Sequence, residues 1–397
     1  DNFYRKHKFW LEDYAVFMMI KKLHNDVSWQ EWPHDEKFRK KAVIEELKDA
    51  HKDLYQFYIF TQYLAYKQYA SLRNYAKRKG IKIIGDIPIY VSADSADVWA
   101  HPSLFLLDKK RRPTEVAGVP PDYFAKDGQL WGNPLYNWER MKKDNYLWWR
   151  RRFDLMSKLY DLVRVDHFRA FDTYWAVKFG EKTARNGVWK KGPGSDFFIA
   201  LEPQLKKIQI IAEDLGILTD SAKELKAEFN FPGIKLYQFG FDDYQNHLRG
   251  EYGEDYEKFK DRLSNHYDDV REDTLNKLCN AYLPHNYEEN CVAYLGAHDN
   301  DVMTNYLDEH PYLYDYMLDY LQIGRVEDIL DTLIGSLMRS NADVVIFQIQ
   351  DILHMGKESR INVPGKPYGN WTFRFRKKDF SRPLVEHLAA MVTEAGR

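Results

Sequence analysis

The chain of 397 residues sets 58 basic against 60 acidic side chains, a formal net charge of −2. That balance argues against a dedicated nucleic-acid or anionic-membrane binder. Only two cysteines occur, Cys279 and Cys291, and neither sits in a zinc-like spacing, so disulfides do not build this fold.

No apolar run approaches the about 20 residues that cross a bilayer. The length suits either two domains or one decorated barrel. Aromatic residues are abundant, with 28 Tyr, 23 Phe and 11 Trp. Most are expected in the core, and a minority as platforms whose apolar faces suit sugar C–H groups.

The chain opens on Asp1 in mid-pattern, DNFYRKHKFWLEDYAVF, so we expect further sequence upstream. Residues 1–80 read as a helical lead-in. Leu54, Tyr58, Ala65, Tyr69 and Leu72 recur at helical spacings and predict one apolar face. KRKG then ends the helix, with Gly80 as its cap.

IKIIGDIPIYV (81–91) predicts a strand buried on both faces. The stretch 101–157, containing VAGVPPDYFAKDGQLWGNPLYNW, reads as a loop excursion on the active-site side, where lids lie. Further strands are predicted at DLVRVDH (161–167), IQIIAEDLG (208–216), IKLYQFGF (234–241), CVAYLGAHD (291–299) and ADVVIFQIQD (342–351). SAKELKAEF (221–229) and VEDILDTLIGSLM (326–338) read as helices between strands. The charged stretch 242–284 reads as a solvated helical insertion.

Alternating strands and helices imply a parallel sheet, either doubly wound or closed as a (β/α)8 barrel. Asp86, Asp166, Glu213, Asp299 and the pair Gln350 with Asp351 fall near the C-terminal ends of five different strands. A barrel converges those ends on one pocket, whereas an open sheet spreads them along a line. No G-x-G-x-x-G turn or P-loop follows any strand, and KGPGSD (191–196) lacks the Lys-Ser/Thr step. The expectation is therefore an α/β barrel, with six strands counted instead of eight.

Asp166, Glu213 and Asp299 each end a hydrophobic strand. Arg164, two residues before Asp166, shares its face of the strand and would keep it ionised. Glu213 follows Ile210, Ile211 and Ala212, a setting that suits a general acid. An ionised Asp beside a protonated Glu is the equipment of retaining glycoside chemistry. His167 and His298 add donors for sugar oxygens.

Blander readings stand beside these. Asp86 reads equally as a turn former, and AEDLG as a helix cap centred on Asp214. HDND (298–301) faintly resembles an oxygen-ligand calcium loop but lacks the spacing and terminal Glu of an EF-hand. No H-E-x-x-H and no G-x-S-x-G occurs, so neither a zinc hydrolase nor a serine hydrolase is supported.

VRVDHFRAF, IIAEDLG and GAHDND, in that order, resemble the catalytic stretches of glycoside hydrolase family 77, the 4-α-glucanotransferases of the α-amylase clan. WLEDYAVFM, GDIPIYVSADSADVWAHPSLF, GQLWGNPLYNW, FPGIKLYQFGFDD, YLPHNY and INVPGKPYGNW extend the likeness over nearly the whole chain. The resemblance implies one (β/α)8 barrel domain over 1–397 whose first two strands precede Asp1. It implies Asp166 as nucleophile, Glu213 as acid/base and Asp299 as transition-state stabiliser. It also implies substrate contacts from Asp86, Arg164, His167 and His298. Tyr123, Phe124, Trp131 and Asn133 would lie in or after a lid, and Asn362 and Asn370 in the loop opposite.

Exchange of α-1,4-glucan segments with no cofactor and no metal follows as the implied activity, in a cytoplasmic setting. The partners are then malto-oligosaccharides, with no nucleic acid or membrane. The competing functions are a hydrolase of the same clan and an inactive glucan-binding scaffold. Pure binding needs no nucleophile, so the three carboxylates weigh against the scaffold.

Overall fold

In the computed structural model, residues 2–121, 126–216, 218–241, 280–366 and 368–397 are described. Tyr123, Phe124 and most of the charged stretch at 242–284 lie outside them. The chain divides into two compact units, one of Asp1–Glu213 with Thr219–Asn230, the other of Asp214–Leu218 with Phe231–Arg397.

In the first unit, β1 (Ile84–Ile87) precedes an antiparallel pair, β2 (Glu115–Val119) and β3 (Gln129–Pro134). β4 (Leu162–Val165), β5 (Thr173–Lys178), β6 (Val188–Lys191) and β7 (Gln209–Ala212) follow. β1, β4 and β7 form a parallel sheet in that order, and β3-β2-β5-β6 an antiparallel one. The second unit holds a parallel sheet of β8 (Gly233–Leu236), β9 (Cys291–Tyr294) and β10 (Val344–Ile346), with β9 in the middle. All six predicted strands are present but shorter, with β8 starting one residue before its predicted stretch, and Tyr237–Gly240 and Ile349–Ile352 are helical where strand is predicted.

Two expectations need correction. The excursion at 101–157 is not all loop, because β2 and β3 lie within it and pair with β5 and β6 beyond it. Gly and Pro in EVAGV and QLWGNP, and the exposure of most of β3, remove the apolar alternation that marks a strand. The lead-in is helical at Asn2–Leu23, Lys41–Ala50 and Lys52–Arg78, but the apolar face assigned to the last helix is displaced. Ala65 and Leu72 are exposed, whereas Tyr58, Tyr66, Tyr69 and Ala76 turn inward. A seven-residue spacing drifts around a helix of 3.6 residues per turn, so Leu72 leaves the stripe that Tyr58 begins.

The first unit's core is built of rings. Tyr136, Trp149, Phe153, Phe168, Phe171 and Phe197 are each at most 1 % exposed. Their edges and faces meet, as between Phe171 and Phe197 at 4.7 Å and Trp149 and Phe197 at 5.4 Å. In the second unit, the helix Ile329–Met338 buries Leu333, Ile334 and Leu337 against Leu295, Met303 and Met317. Among the described residues no helix is long and apolar enough to cross a membrane.

Parallel register places the polar ends of the strands. Asp86 of β1 is paired with Arg164 of β4, and Arg164 with Ile211 of β7. Partners in register project from the same face of a sheet, so Asp86 and Arg164 become neighbours by backbone pairing alone. The ring core below them holds β4 and its turn in place. Phe171→Ala is expected to lower the unfolding free energy by about 3–5 kcal/mol. Tyr368→Ala, at an 88 % exposed position, is expected to change it by less than about 0.5 kcal/mol. Denaturant titration of both variants checks the pair.

Candidate active site

Arg164 is the centre of the first unit's polar cluster. Its Nη1 donates to both carboxylate oxygens of Asp86 and to Oδ1 of Asp166, each at 2.9 Å. The guanidinium is buried, with 11 % of its side chain exposed. Burial opposes its charge, but Asp86, Asp166 and Glu213 outweigh that cost and raise its pKa above the ordinary arginine value. One cation is thus shared by two carboxylates at the ends of neighbouring strands.

The turn after β4 completes the arrangement. Asp166 N–H donates to Ile87 O at 3.1 Å, and the next residue, His167, takes a left-handed conformation with φ of 49°. That conformation is uncommon for a residue with a side chain, and tertiary contacts must hold it. Here it aims His167 N–H at Glu213 Oε2, 2.6 Å away. Phe168 N–H donates to Glu213 O and Glu213 N–H to Val165 O, each at 3.0 Å. Asp166 and Glu213 are therefore fixed by one short stretch of backbone.

The His167 ring meets Trp131 edge to face at 4.9 Å. Enclosure pushes its pKa down to about 4 against the pull of Asp166. The imidazole is therefore neutral near pH 7, able to donate from one nitrogen and accept at the other. Trp131 is 37 % exposed and presents a ring beside this cluster. Asn133 is engaged with the backbone, donating from Nδ2 to Val91 O at 2.9 Å. It anchors β3 to the segment that follows Asp86.

The second unit gathers the remaining residues. Asp299 follows β9 and is half exposed, with His298 Nε2 at 3.4 Å from Oδ2. Asn362 donates from Nδ2 to Asp299 Oδ1 at 2.6 Å. Asn370 closes its own loop instead, through Val363 N–H at 3.0 Å and the carbonyls of Val363 and Lys366 at 3.2 and 3.0 Å. Trp371 lies beside His298, with ring centroids 5.5 Å apart.

The Asp301 carboxylate is engaged by protein groups. It accepts from Val302 N–H and Asn305 Nδ2 at 2.8 Å and pairs with Arg360 at 3.0 Å. Gln350 and Asp351, read as strand-end polar groups, are buried, and Asp351 Oδ1 accepts from Met303 N–H at 2.7 Å. Arg360 escaped the sequence reading because it stands one residue before INVPGKPYGNW. A single Arg in a loop carries no spacing signal.

The sequence and the structure have counterparts among known proteins. The family model for 4-alpha-glucanotransferase, glycoside hydrolase family 77, matches residues 1–259 and 270–379. The 4-alpha-glucanotransferase of Clostridium butyricum is 39 % identical over all of this chain and 75 % of its own length. That of Thermus thermophilus is 36 % identical over 100 % of the chain and 74 % of its own. The fold matches an amylomaltase from Streptococcus agalactiae, solved in complex with acarbose, at a TM-score of 0.87 and 35 % identity. That match covers 100 % of this chain and 74 % of the other. The chain belongs to glycoside hydrolase family 77, the 4-α-glucanotransferases.

Proposed function

We propose that Asp166, Glu213 and Asp299 carry out the glucan transfer of this family by a retaining, double-displacement route. Asp166 attacks the anomeric carbon of the donor while Glu213 gives its proton to the departing 4-oxygen. The carbon–oxygen bond breaks and a glycosyl-aspartate forms. Glu213 then takes the proton of the acceptor's 4-hydroxyl, which attacks the same carbon and frees Asp166. Asp299, with Asn362 bonded to it, binds sugar hydroxyls and favours the oxocarbenium-like state.

What supports this reading is the Arg164 pairing. A strand-end carboxylate bonded to a buried guanidinium is pointed in one direction, as a nucleophile requires. We further propose that the two three-stranded parallel sheets are six of the eight strands of one (β/α)8 barrel, and that both units serve a single catalytic domain. Trp131 and His167 supply an aromatic and a polar contact to the donor. Asp86 and Arg164 act by holding Asp166.

Transfer instead of hydrolysis demands that a sugar hydroxyl outcompete water present at about 55 M, by exclusion of water or by tight acceptor binding.

Incubation with maltotriose separates the readings. Transfer yields glucose together with oligomers longer than the substrate; hydrolysis yields shortening alone, and binding yields no change. Asp166→Asn is expected to cut turnover by about 10³-fold or more while maltotriose binding by calorimetry stays close to that of the parent. Near-normal turnover would remove Asp166 from the nucleophile role. Arg164→Lys keeps the charge but loses the rigid guanidinium plane that holds Nη1 between two carboxylates, and is expected to cost about 10²-fold in kcat. A loss below twofold would show that the shared guanidinium does not matter for the reaction.

A further inference from the structure

Asp299 stands five residues past the end of β9, beyond the reach of strand pairing. The last ladder bond on that side joins Leu295 N–H to Ile346 O at 3.4 Å. The turn is pinched at its base, where Asn300 Oδ1 accepts from Ala297 N–H at 2.9 Å. Something else must set where the Asp299 carboxylate points.

One guanidinium spans the gap. Arg360 donates from Nη2 to Asp299 O at 3.2 Å, from Nε to Asn362 O at 3.0 Å, and from Nη1 to Asp301 Oδ2 at 3.0 Å. We propose that Arg360 is the positioning residue for Asp299 in glucan transfer, a role that rests on the assignment of Asp299 above. Its three nitrogens tie two points of the 299–301 turn, a carbonyl and a carboxylate, to the carbonyl of Asn362 in its own loop, a set that a planar fork can hold at once.

The anchor beneath it is firm. Asp301 is 15 % exposed in its side chain and bonded to Val302 N–H and Asn305 Nδ2. Those partners flank the start of the helix Met303–Glu309, whose first amide is held by the buried carboxylate of Asp351. Position therefore passes from the core helix to Asp301, then to Arg360, then to the Asp299 carbonyl. The same guanidinium fixes the backbone of Asn362, whose side-chain amide grips Asp299 Oδ1 at 2.6 Å. Arg360 thus holds both residues of the Asn362–Asp299 bond.

Arg360 does not touch the reacting atoms in this scheme. Its effect is geometric, and a misplacement of about 1 Å in a catalytic group costs about 10²-fold. A lysine, a single point donor, cannot replace the fork.

The test uses the full chain with maltotriose, reading kcat and KM separately. Arg360→Ala and Arg360→Lys are each expected to lower kcat by about 10- to 100-fold with KM within about threefold. Asp301→Asn, which keeps Arg360 but weakens its anchor, is expected to shift kcat the same way by less, and serves if Arg360→Ala does not fold. Arg360→Ala added to Asp299→Asn is expected to cost less than about twofold more, because its effect runs through Asp299.

Turnover of Arg360→Ala within twofold of the parent, with Asp299→Asn inactive, overturns the positioning role alone. Losses that multiply in full in the double variant also overturn it, since a general folding role would behave that way. Full turnover in Asp299→Asn overturns the assignment of Asp299, and with it this inference.

Discussion

A buried arginine between two carboxylates is the constraint on which the first unit's cluster depends. Arg164 cannot be left alone in an apolar sheet, because an unpaired buried charge is among the costliest defects a fold can carry. Asp86 answers it from the neighbouring strand and Asp166 from two residues further along its own. Parallel pairing of Asp86 with Arg164 makes the contact unavoidable. A slip of one residue would turn Arg164 and Asp166 together toward the opposite face and part Asp86 from its cation. Register, packing and the placement of the proposed nucleophile are therefore one problem with one solution.

The second unit solves its problem differently. Asp299 lies in a turn past its strand, so side-chain bonds take the place of a ladder. Asp301, Arg360 and Asn362 hold the turn and the loop at 360–371 to each other. His167 completes the first unit's cluster. Its left-handed backbone is a local strain, held by the bond from its N–H to Glu213 Oε2 and by Trp131 against its ring.

Much of this was legible in the sequence because its signals are local. The β-branched runs ending in Asp86, Asp166 and Glu213 marked strands and their polar ends, and the two-residue step from Arg164 to Asp166 put both on one face. The antiparallel sheet was not legible, since glycine and proline blur EVAGV and QLWGNP and their partners are distant in sequence. The buried side of the Lys52–Arg78 helix was misread at Ala65 and Leu72, where a loose seven-residue spacing stood in for the true period. The pairing of Arg360 with Asp301, the last residue of HDND, was not legible for another reason. Its meaning lies in bonds across 59 to 61 residues of chain, and no spacing rule reaches that far.

The central claim is that a glycosyl group is carried on Asp166. A fluorinated maltosyl donor that forms the intermediate faster than it breaks down would trap it, and proteolysis with mass spectrometry would locate the added mass. The account predicts the label on the peptide bearing LVRVDHFRAF, at Asp166. A label on another carboxylate, or rapid turnover of that donor with no labelled peptide at any time, would contradict it.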